Sequence, residues 1–190
     1  MEKVLQKNEN FLAQEKESEN MRLRPYKPCD AKKIVTWFKD EFAFRQWGSD
    51  RWETFPLTPE MMNQKYINFN GDCEEEDNFY PMTFVDGNEV VGHLILRYTD
   101  KEQQVLRFGF IIVDADRRGK GYGKRMLLLA KKYAFEILKV KKITLGVFEN
   151  NPSAYYCYKA AGFNETQMEE DIYYDILGEK WKCIELEAEC

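Results

Sequence analysis

The chain has 190 residues, 44% of them hydrophobic and 15% aromatic, which is enough to bury one sizeable core in a single domain. A formal net charge of −5 argues against general nucleic-acid binding, and no apolar run approaches the roughly 18 residues of a membrane span. The five cysteines form an odd set without C-x-x-C spacing, so neither a zinc site nor a complete disulfide framework is indicated. With no signal peptide in the sequence, we expect a cytoplasmic protein that binds no metal, nucleic acid or membrane.

The N-terminal third predicts a polar arm followed by short elements. Residues 1–20 are polar and charged, and we expect them to form an arm before a single domain of residues 21–190. Met21 to Tyr26 alternates enough for a strand. Asp30 then offers an N-cap for a helix with apolar residues at helical spacing. The aromatic-rich stretch from Phe42 to Pro56 is predicted to be irregular.

The next segment predicts a helix, an acidic loop and a hairpin. Thr58-Pro59-Glu60 begins the helix, with proline in its first turn. Gly71 to Asn78 is the acidic loop. Phe79 to Val85 and Glu89 to Tyr98 flank the turn Asp86-Gly87-Asn88, which favours a hairpin.

The centre of the chain predicts a crossover unit. Strand Val105 to Val113, helix Tyr122 to Leu138 and strand Lys142 to Phe148 follow one another, so the two strands should be parallel with a right-handed connection. A short helix, Pro152 to Ala161, and a closing hairpin within residues 171–186 complete the chain. This order predicts an α/β fold with a mixed sheet.

A glycine-rich run, Arg118-Gly119-Lys120-Gly121-Tyr122-Gly123-Lys124, lies between the first central strand and its helix. Glycines let the backbone approach an anion, and the N–H groups and dipole at a helix start attract it. A Walker loop is excluded, because Arg118 occupies its first glycine position and Arg125 its Ser/Thr position. The G-x-G-x-G spacing also departs from the dinucleotide fingerprint, which stays open as an alternative with Glu149 as its ribose-binding acid.

Two motifs together resemble the GNAT acetyltransferase superfamily. The spacing of Arg118, Gly121 and Gly123 after Val113-Asp114 is similar to that family's pyrophosphate loop. Asn151 to Phe163 resembles its N-x-x-A-x-x-x-Y-x-x-x-G-F segment at every fixed position. The resemblance implies the GNAT fold, a splayed mixed sheet flanked by helices.

The same resemblance implies acetyl-CoA as the acyl donor, lying where the two central strands diverge. The Val113 N–H would polarise the thioester carbonyl. Tyr158, at the family's tyrosine position, would protonate the leaving thiolate. The residues implied to contact the donor are Ile111, Ile112 and Val113 along the pantetheine arm, Arg118, Gly119, Lys120, Gly121, Tyr122, Gly123 and Lys124 at the pyrophosphate, and Asn151 near the pantetheine.

The general base is not given by the motifs. Attack on the thioester requires a neutral amine, so a base or a water chain must take its proton. Some N-terminal-amine acetyltransferases of the superfamily carry a glutamate where Gly146 stands here, and that carboxylate is absent. Glu149, the sole histidine His93 and an ordered water remain candidates. His93 alternates with Val91 and Ile95, which fits a residue packed on a sheet face better than a base.

The implied function is an acetyl-CoA-dependent N-acetyltransferase that acts on a primary amine of a small molecule or protein by direct attack. The missing carboxylate at Gly146 leaves a noncatalytic acyl-CoA-binding module as the alternative. Acidic runs at residues 72–77 and 169–175 would favour a cationic acceptor if they lie at a pocket mouth. The sequence leaves open the acceptor, the acyl-chain length and association into a homodimer.

Overall fold

One mixed sheet of eight strands runs through the computed structural model, which describes residues 20–190. The arm predicted for residues 1–20 therefore lies outside the described residues, apart from Asn20. The strands are β1 (Met21–Pro25), β2 (Tyr80–Asp86), β3 (Glu89–Tyr98), β4 (Val105–Val113), β5 (Lys142–Phe148), β6 (Asn164–Glu165), β7 (Ile172–Ile176) and β8 (Glu179–Glu189). Their order across the sheet is β1-β2-β3-β4-β5-β8-β6, and β7 also pairs with β8.

Helices cover both faces of this sheet. The α-helices are α1 (Ala31–Ile34), α2 (Glu41–Gly48), α3 (Pro59–Asn63), α4 (Tyr122–Lys132) and α5 (Pro152–Ala160). Wide π-helical turns, Gln64–Asn68 and Tyr133–Ile137, continue α3 and α4, and single 3₁₀ turns lie at Pro28–Asp30, Val35–Trp37, Asn70–Asp72 and Ala115–Arg117. No helix within residues 20–190 is both long and apolar enough to cross a membrane.

The predicted crossover is confirmed, because β4 and β5 are parallel and joined through α4. Every other pairing in the described sheet is antiparallel. The sheet separates two hydrophobic cores. One packs under α4 and α5 and contains Met126, Phe108 and Phe163, and the other packs under α1 to α3 and contains Trp37 and Phe44.

The expectation that Asp30 caps α1 is wrong. Its buried carboxylate accepts hydrogen bonds from the Arg24 guanidinium at 2.6 and 2.8 Å, and from the Lys27 N–H and the Thr83 hydroxyl at 2.8 Å each. Burial alone would raise the pKa of Asp30, but these donors hold it below its usual range. Asp30 thus ties its segment to β1 and β2, since a buried charge requires such partners.

The irregular segment expected from Phe42 to Pro56 contains a helix, α2. The Asp40 side chain caps it by accepting a hydrogen bond from the Ala43 N–H at 2.8 Å. Its aromatic residues contact different neighbours: Phe42 lies on Trp181, Phe44 on Phe38 and Trp47 on Trp52. Phe44 and Trp47 lie three residues apart on one side of the helix and contact each other, whereas Phe42 lies on the other side against Trp181.

Candidate active site

The parallel strands β4 and β5 separate after three residue pairs. Val105 to Arg107 lie opposite Lys142 to Thr144, and the described strands share no pairing beyond them. β3 continues along β4 as far as Val113, and β8 continues along β5 as far as Phe148. The sheet is therefore split in its middle. Two unpaired strand edges face the split, and their backbone groups need partners.

A β-bulge lies on the β4 side of this split. Two residues of β4, Phe110 and Ile111, stand opposite one residue of β3, Leu94. Phe110 has a φ of 47°, a left-handed conformation that is uncommon for a residue other than glycine. Such bulges bend and re-aim a strand and occur often beside active sites. The signal for it in the sequence is Gly109, because a glycine inside a strand often marks a bulge.

Just beyond the bulge, the backbone of β4 alternates between β3 and the split. The Asp114 N–H donates to the Val91 carbonyl on β3 at 3.0 Å, and Ile112 pairs with His93 on that same side. The backbone groups of Val113 therefore point into the split. The side chain of Ile112 is buried in the core under α1 to α3.

The glycine loop follows directly at the end of β4. Gly119 and Gly121 have φ values of 74° and 81°, which glycine adopts without steric cost. A β-carbon built on either would meet nothing within 4 Å, so the space above the loop is open. The N–H groups from Gly119 to Lys124 find no acceptor in the described part of the chain. Together with the start of α4, they form a cradle that fits the pyrophosphate of a coenzyme A donor.

The cations predicted for this loop are at the surface. Arg118, Lys120 and Lys124 are all exposed. Arg118 donates from Nε to the Val113 carbonyl at 3.2 Å, which places its side chain along the end of the split. Lys120 donates to the Asp116 carbonyl at 3.0 Å. Two of the three cations are therefore held against backbone carbonyls of the segment just before the glycines.

Tyr122 and Gly123 both serve the packing of α4. The Tyr122 hydroxyl donates to Asp86 at 2.7 Å and accepts from Arg117 at 3.1 Å. A β-carbon at Gly123 would lie 2.9 Å from the Cys157 Sγ on α5, so the glycine allows α4 and α5 to approach closely. Both residues therefore present only backbone N–H groups to the space above the loop.

The two other predicted residues belong to α5. The Asn151 side-chain oxygen accepts the Ala154 N–H at 3.2 Å and so caps this helix. Tyr158 is only 7% exposed, and its hydroxyl makes no hydrogen bond with the described chain. Burial raises the pKa of Tyr158, so the phenol stays protonated at neutral pH. A protonated, uncommitted phenol is the form that a proton donor needs.

The candidate bases lie in opposite environments. His93 is fully buried, and its Nε2 lies 2.9 Å from the Tyr66 hydroxyl. Burial lowers the pKa of His93 to about 3, so it is neutral at physiological pH but has no access to a ligand. Glu149 is exposed at the end of β5. His93 therefore serves the core, as its strand alternation indicated, and Glu149 or water is left for the base.

A salt bridge occupies the space beside Gly146. Arg107 on β4 and Glu185 on β8 form a two-pronged ion pair with N···O distances of 2.6 and 2.8 Å. A β-carbon on Gly146 would lie 2.9 Å from both side chains and from the Cys183 Sγ. Gly146 therefore lies beside the carboxylate of Glu185 on β8. Arg107 already balances the charge of that carboxylate.

A cavity of about 350 Å³ opens at the split, on the face covered by α1 to α3. Its size suits a small-molecule ligand. Cations and acidic residues both line it, including Arg51, Arg97 and Arg107 and, from the predicted acidic loop, Asp72, Glu74 and Glu75. The second acidic run, residues 169–175, contributes only Tyr174. Among residues 20–190, no three His, Cys, Asp or Glu side chains lie close enough to hold a metal ion.

Comparison with known proteins yields relatives of one kind. The chain is 27% identical over 132 residues to the acetyltransferase PseH of Campylobacter jejuni, covering 65% of this chain and 80% of that protein. It is 38% identical over 55 residues to the spermidine N(1)-acetyltransferase of Vibrio cholerae, covering 29% of this chain but only 32% of that protein. A solved structure of spermidine N-acetyltransferase from Vibrio cholerae with CoA and spermine superposes with a TM-score of 0.71 at 21% identity, over 90% of this chain and 96% of that chain.

The fold and the matches remove the dinucleotide-binding alternative, because that fold requires a largely parallel sheet and only β4 and β5 are parallel here. The model of the acetyltransferase (GNAT) family matches residues 33–163. This match covers β4 and β5 at the split, the glycine loop, and all of α4 and α5. The chain therefore belongs to the GNAT acetyltransferase family and is an N-acetyltransferase that takes its acetyl group from acetyl-CoA.

Proposed function

We propose that the split between β4 and β5 is the place where an acceptor amine attacks acetyl-CoA. The observation that carries the proposal is the arrangement of the split itself, with the open N–H groups of Gly119 to Lys124 beyond the end of β4 and a cavity on its acceptor face. The pyrophosphate would bind the glycine loop. The thioester would lie against the unpaired edge of β4, where the Val113 N–H donates to its carbonyl oxygen and stabilises developing negative charge.

The chemical step requires two proton transfers. The amine nitrogen forms a bond to the carbonyl carbon, and the C–S bond breaks as the thiolate of CoA leaves. Tyr158 donates a proton or a hydrogen bond to that sulfur, and the proton of the amine passes to Glu149 or to water. The Tyr158 phenol is protonated at neutral pH and so acts as a donor; because burial raises its pKa, it is a weaker acid than an exposed tyrosine, which favours a hydrogen bond to the sulfur over complete proton transfer.

For the acceptor, the acidic loop supports an amine that is cationic before it reacts. Glu74 and Glu75 line the cavity and lower the electrostatic energy of an ammonium group there. Asp72 also lines it but is already paired with Lys65. The similarity to a spermidine N(1)-acetyltransferase supports a polyamine as one member of this class. The matched part is short, so the class of acceptor rests mainly on the charges of the cavity.

A single hydroxyl tests the proposed role of Tyr158. Tyr158→Phe keeps the ring in the core and removes the proton donor, so we expect the single-turnover rate of acetyl transfer to fall about 10²-fold, with little change in acetyl-CoA affinity. Tyr156→Phe, on the same helix but 69% exposed, is the matched control and should react at the parent rate. An unchanged rate in Tyr158→Phe would remove this residue from the mechanism.

A thiol-release assay separates transfer from simple binding. We expect release of CoA with at least one class among polyamines, amino acids, aminoglycosides and peptide N-termini, alongside calorimetric binding of acetyl-CoA. Binding without transfer to any of them would instead favour the acyl-CoA-binding module. Light scattering of the same samples checks the homodimer that the sequence leaves open.

A further inference from the structure

Two arginines stand directly opposite each other on neighbouring strands at the cavity. Arg97 on β3 pairs with Arg107 on β4, next to the pair Ile95 and Gly109 on the same face of the sheet. Like charges in such cross-strand pairs destabilise a sheet. Glu185 balances Arg107 through two short hydrogen bonds. No hydrogen bond or ion pair joins Arg97 to any residue between 20 and 190.

The Arg97 guanidinium is therefore a partly buried charge that forms no ion pair within the described part of the chain. Burial lowers the pKa of Arg97, and repulsion by the nearby Arg107 and Arg51 acts in the same direction, whereas attraction by Cys73 and Glu75 opposes it. Arginine nevertheless stays charged at neutral pH. Arg51, at the cavity rim, is largely exposed and only loosely paired with Asp50 at 3.7 Å. A cavity wall with an unbalanced cation is costly unless an anion binds there.

We propose that the acceptor carries an anionic group, a carboxylate or a phosphate, in addition to its amine, and that Arg97 binds this group. The inference rests on the proposed function, because it concerns the acceptor cavity of that reaction. A guanidinium offers two parallel N–H donors that match either anion. Arg97 and Arg107 lie on β3 and β4 at the sheet, whereas Glu74 and Glu75 come from the acidic loop. This separation of charge suits a small molecule with an anionic end and an ammonium end.

A purely cationic polyamine would be attracted only to the acidic residues of the cavity wall. Its ammonium groups would be attracted to the acidic loop, but any that approached Arg97 would add a third positive charge beside Arg97 and Arg107. The expected preference is therefore for amines that also carry an anion. The alternative outcome of the test is acetyl transfer to polyamines at a rate that does not depend on Arg97.

Amines that differ only in an anionic group provide the experiment. Ornithine with putrescine and histidine with histamine test a carboxylate, and glucosamine 6-phosphate with glucosamine and phosphoethanolamine with ethanolamine test a phosphate. For either the carboxylate pairs or the phosphate pairs, we expect kcat/KM from CoA release to be higher for the amine that carries the anion. Arg97→Gln should lower kcat/KM for that amine about tenfold to hundredfold and should change little the kcat/KM of the amine without the anion. Lys101→Gln removes an equal charge from the exposed loop after β3 and should react as the parent does.

A binding measurement covers the case in which no amine of the panel is the acceptor. With saturating CoA on the glycine loop, inorganic phosphate or acetate should raise the melting temperature of the parent and of Lys101→Gln, but much less that of Arg97→Gln. Because Arg97 has no partner in the described chain, Arg97→Gln itself should fold with undiminished stability.

Three results would overturn the inference: equal rates for both members of every pair, an Arg97→Gln variant that responds to amines and anions as the parent does, or a large loss of stability on replacing Arg97. Rapid acetylation of polyamines unaffected by Arg97→Gln would refute this inference and leave the proposed function intact. Failure to transfer acetyl to any amine, with unchanged anion binding at Arg97, would refute the proposed function alone.

Discussion

The proposed donor side and the proposed acceptor side of the split are built in different ways. The donor side comes from one continuous stretch, the end of β4, the glycine loop and the start of α4, and its important groups are backbone N–H groups. The acceptor cavity is lined by residues from as far apart as Gln46 and Cys183. A local sequence pattern is enough to specify the first, whereas side-chain contacts between distant segments hold the second in place.

Those contacts are mostly aromatic and ionic. Trp47 stacks on Trp52 with a centroid distance of 5.6 Å and lies 4.9 Å from the ring of the bulged residue Phe110. The buried ion pair of Asp30 with Arg24 connects the helical cover to the edge of the sheet. Changes in these aromatic and ionic contacts should therefore appear first as losses of stability, and changes in the glycine loop as losses of donor affinity.

The largest expected effect is on the buried ion pair. Asp30→Asn leaves Arg24 without its counter-charge, so the free energy of unfolding should fall by about 3 to 5 kcal/mol. Chemical denaturation measures this loss, and the acetyl-CoA affinity of the remaining folded protein should be unchanged. Adding Arg24→Met should restore part of the stability, because it removes the unpaired charge. A loss below about 1 kcal/mol would mean that this pair does not hold the cover in place.

The glycine loop provides the opposite case. A side chain in Gly121→Val would enter the open space above the N–H groups, so acetyl-CoA should bind about 10²-fold more weakly, or about 2.7 kcal/mol, by calorimetry. Gly178→Val is the matched control, because Gly178 has nearly the same φ, 79° against 81°, and equally open surroundings in the hairpin between β7 and β8. Both variants should lose similar stability. Equal donor affinity in the two would refute the phosphate-loop assignment.

The smallest effect concerns pH and the acceptor-side core. Folding lowers the pKa of His93 from 6.5 to about 3, so below pH 6.5 the unfolded chain takes up a proton that the folded chain does not. Stability from this source is complete above pH 6.5 and falls as the pH drops, by about 2 kcal/mol at pH 5. His93→Leu should remove that part of the pH dependence in thermal or urea unfolding. Identical slopes in parent and variant would show that His93 titrates normally.

Several local elements were predictable because their cause is local. Glycine adopts the left-handed conformation found at the Gly87 turn and in the loop before α4. Proline fixes its own φ at a value that suits the start of α3. The same holds for the cap of α5 by Asn151. The helix α2 was missed, because its aromatic faces find their partners only in the folded protein. The role of Asp30 was wrong for the same reason, since its donors lie on β1 and β2.

By itself, the sequence determined the family, the parallel crossover and the position of the glycine loop at the start of α4, because glycine and proline positions and hydrophobic periodicity act within a few residues. Only the tertiary structure decided where β4 and β5 separate, the position of the bulge at Phe110 and the charges of the acceptor cavity. These depend on which residues meet across strands: Glu185 reaches Arg107 beside Gly146, while Arg97 meets no carboxylate in the described chain. Such pairings follow from strand register and packing, which no short segment specifies.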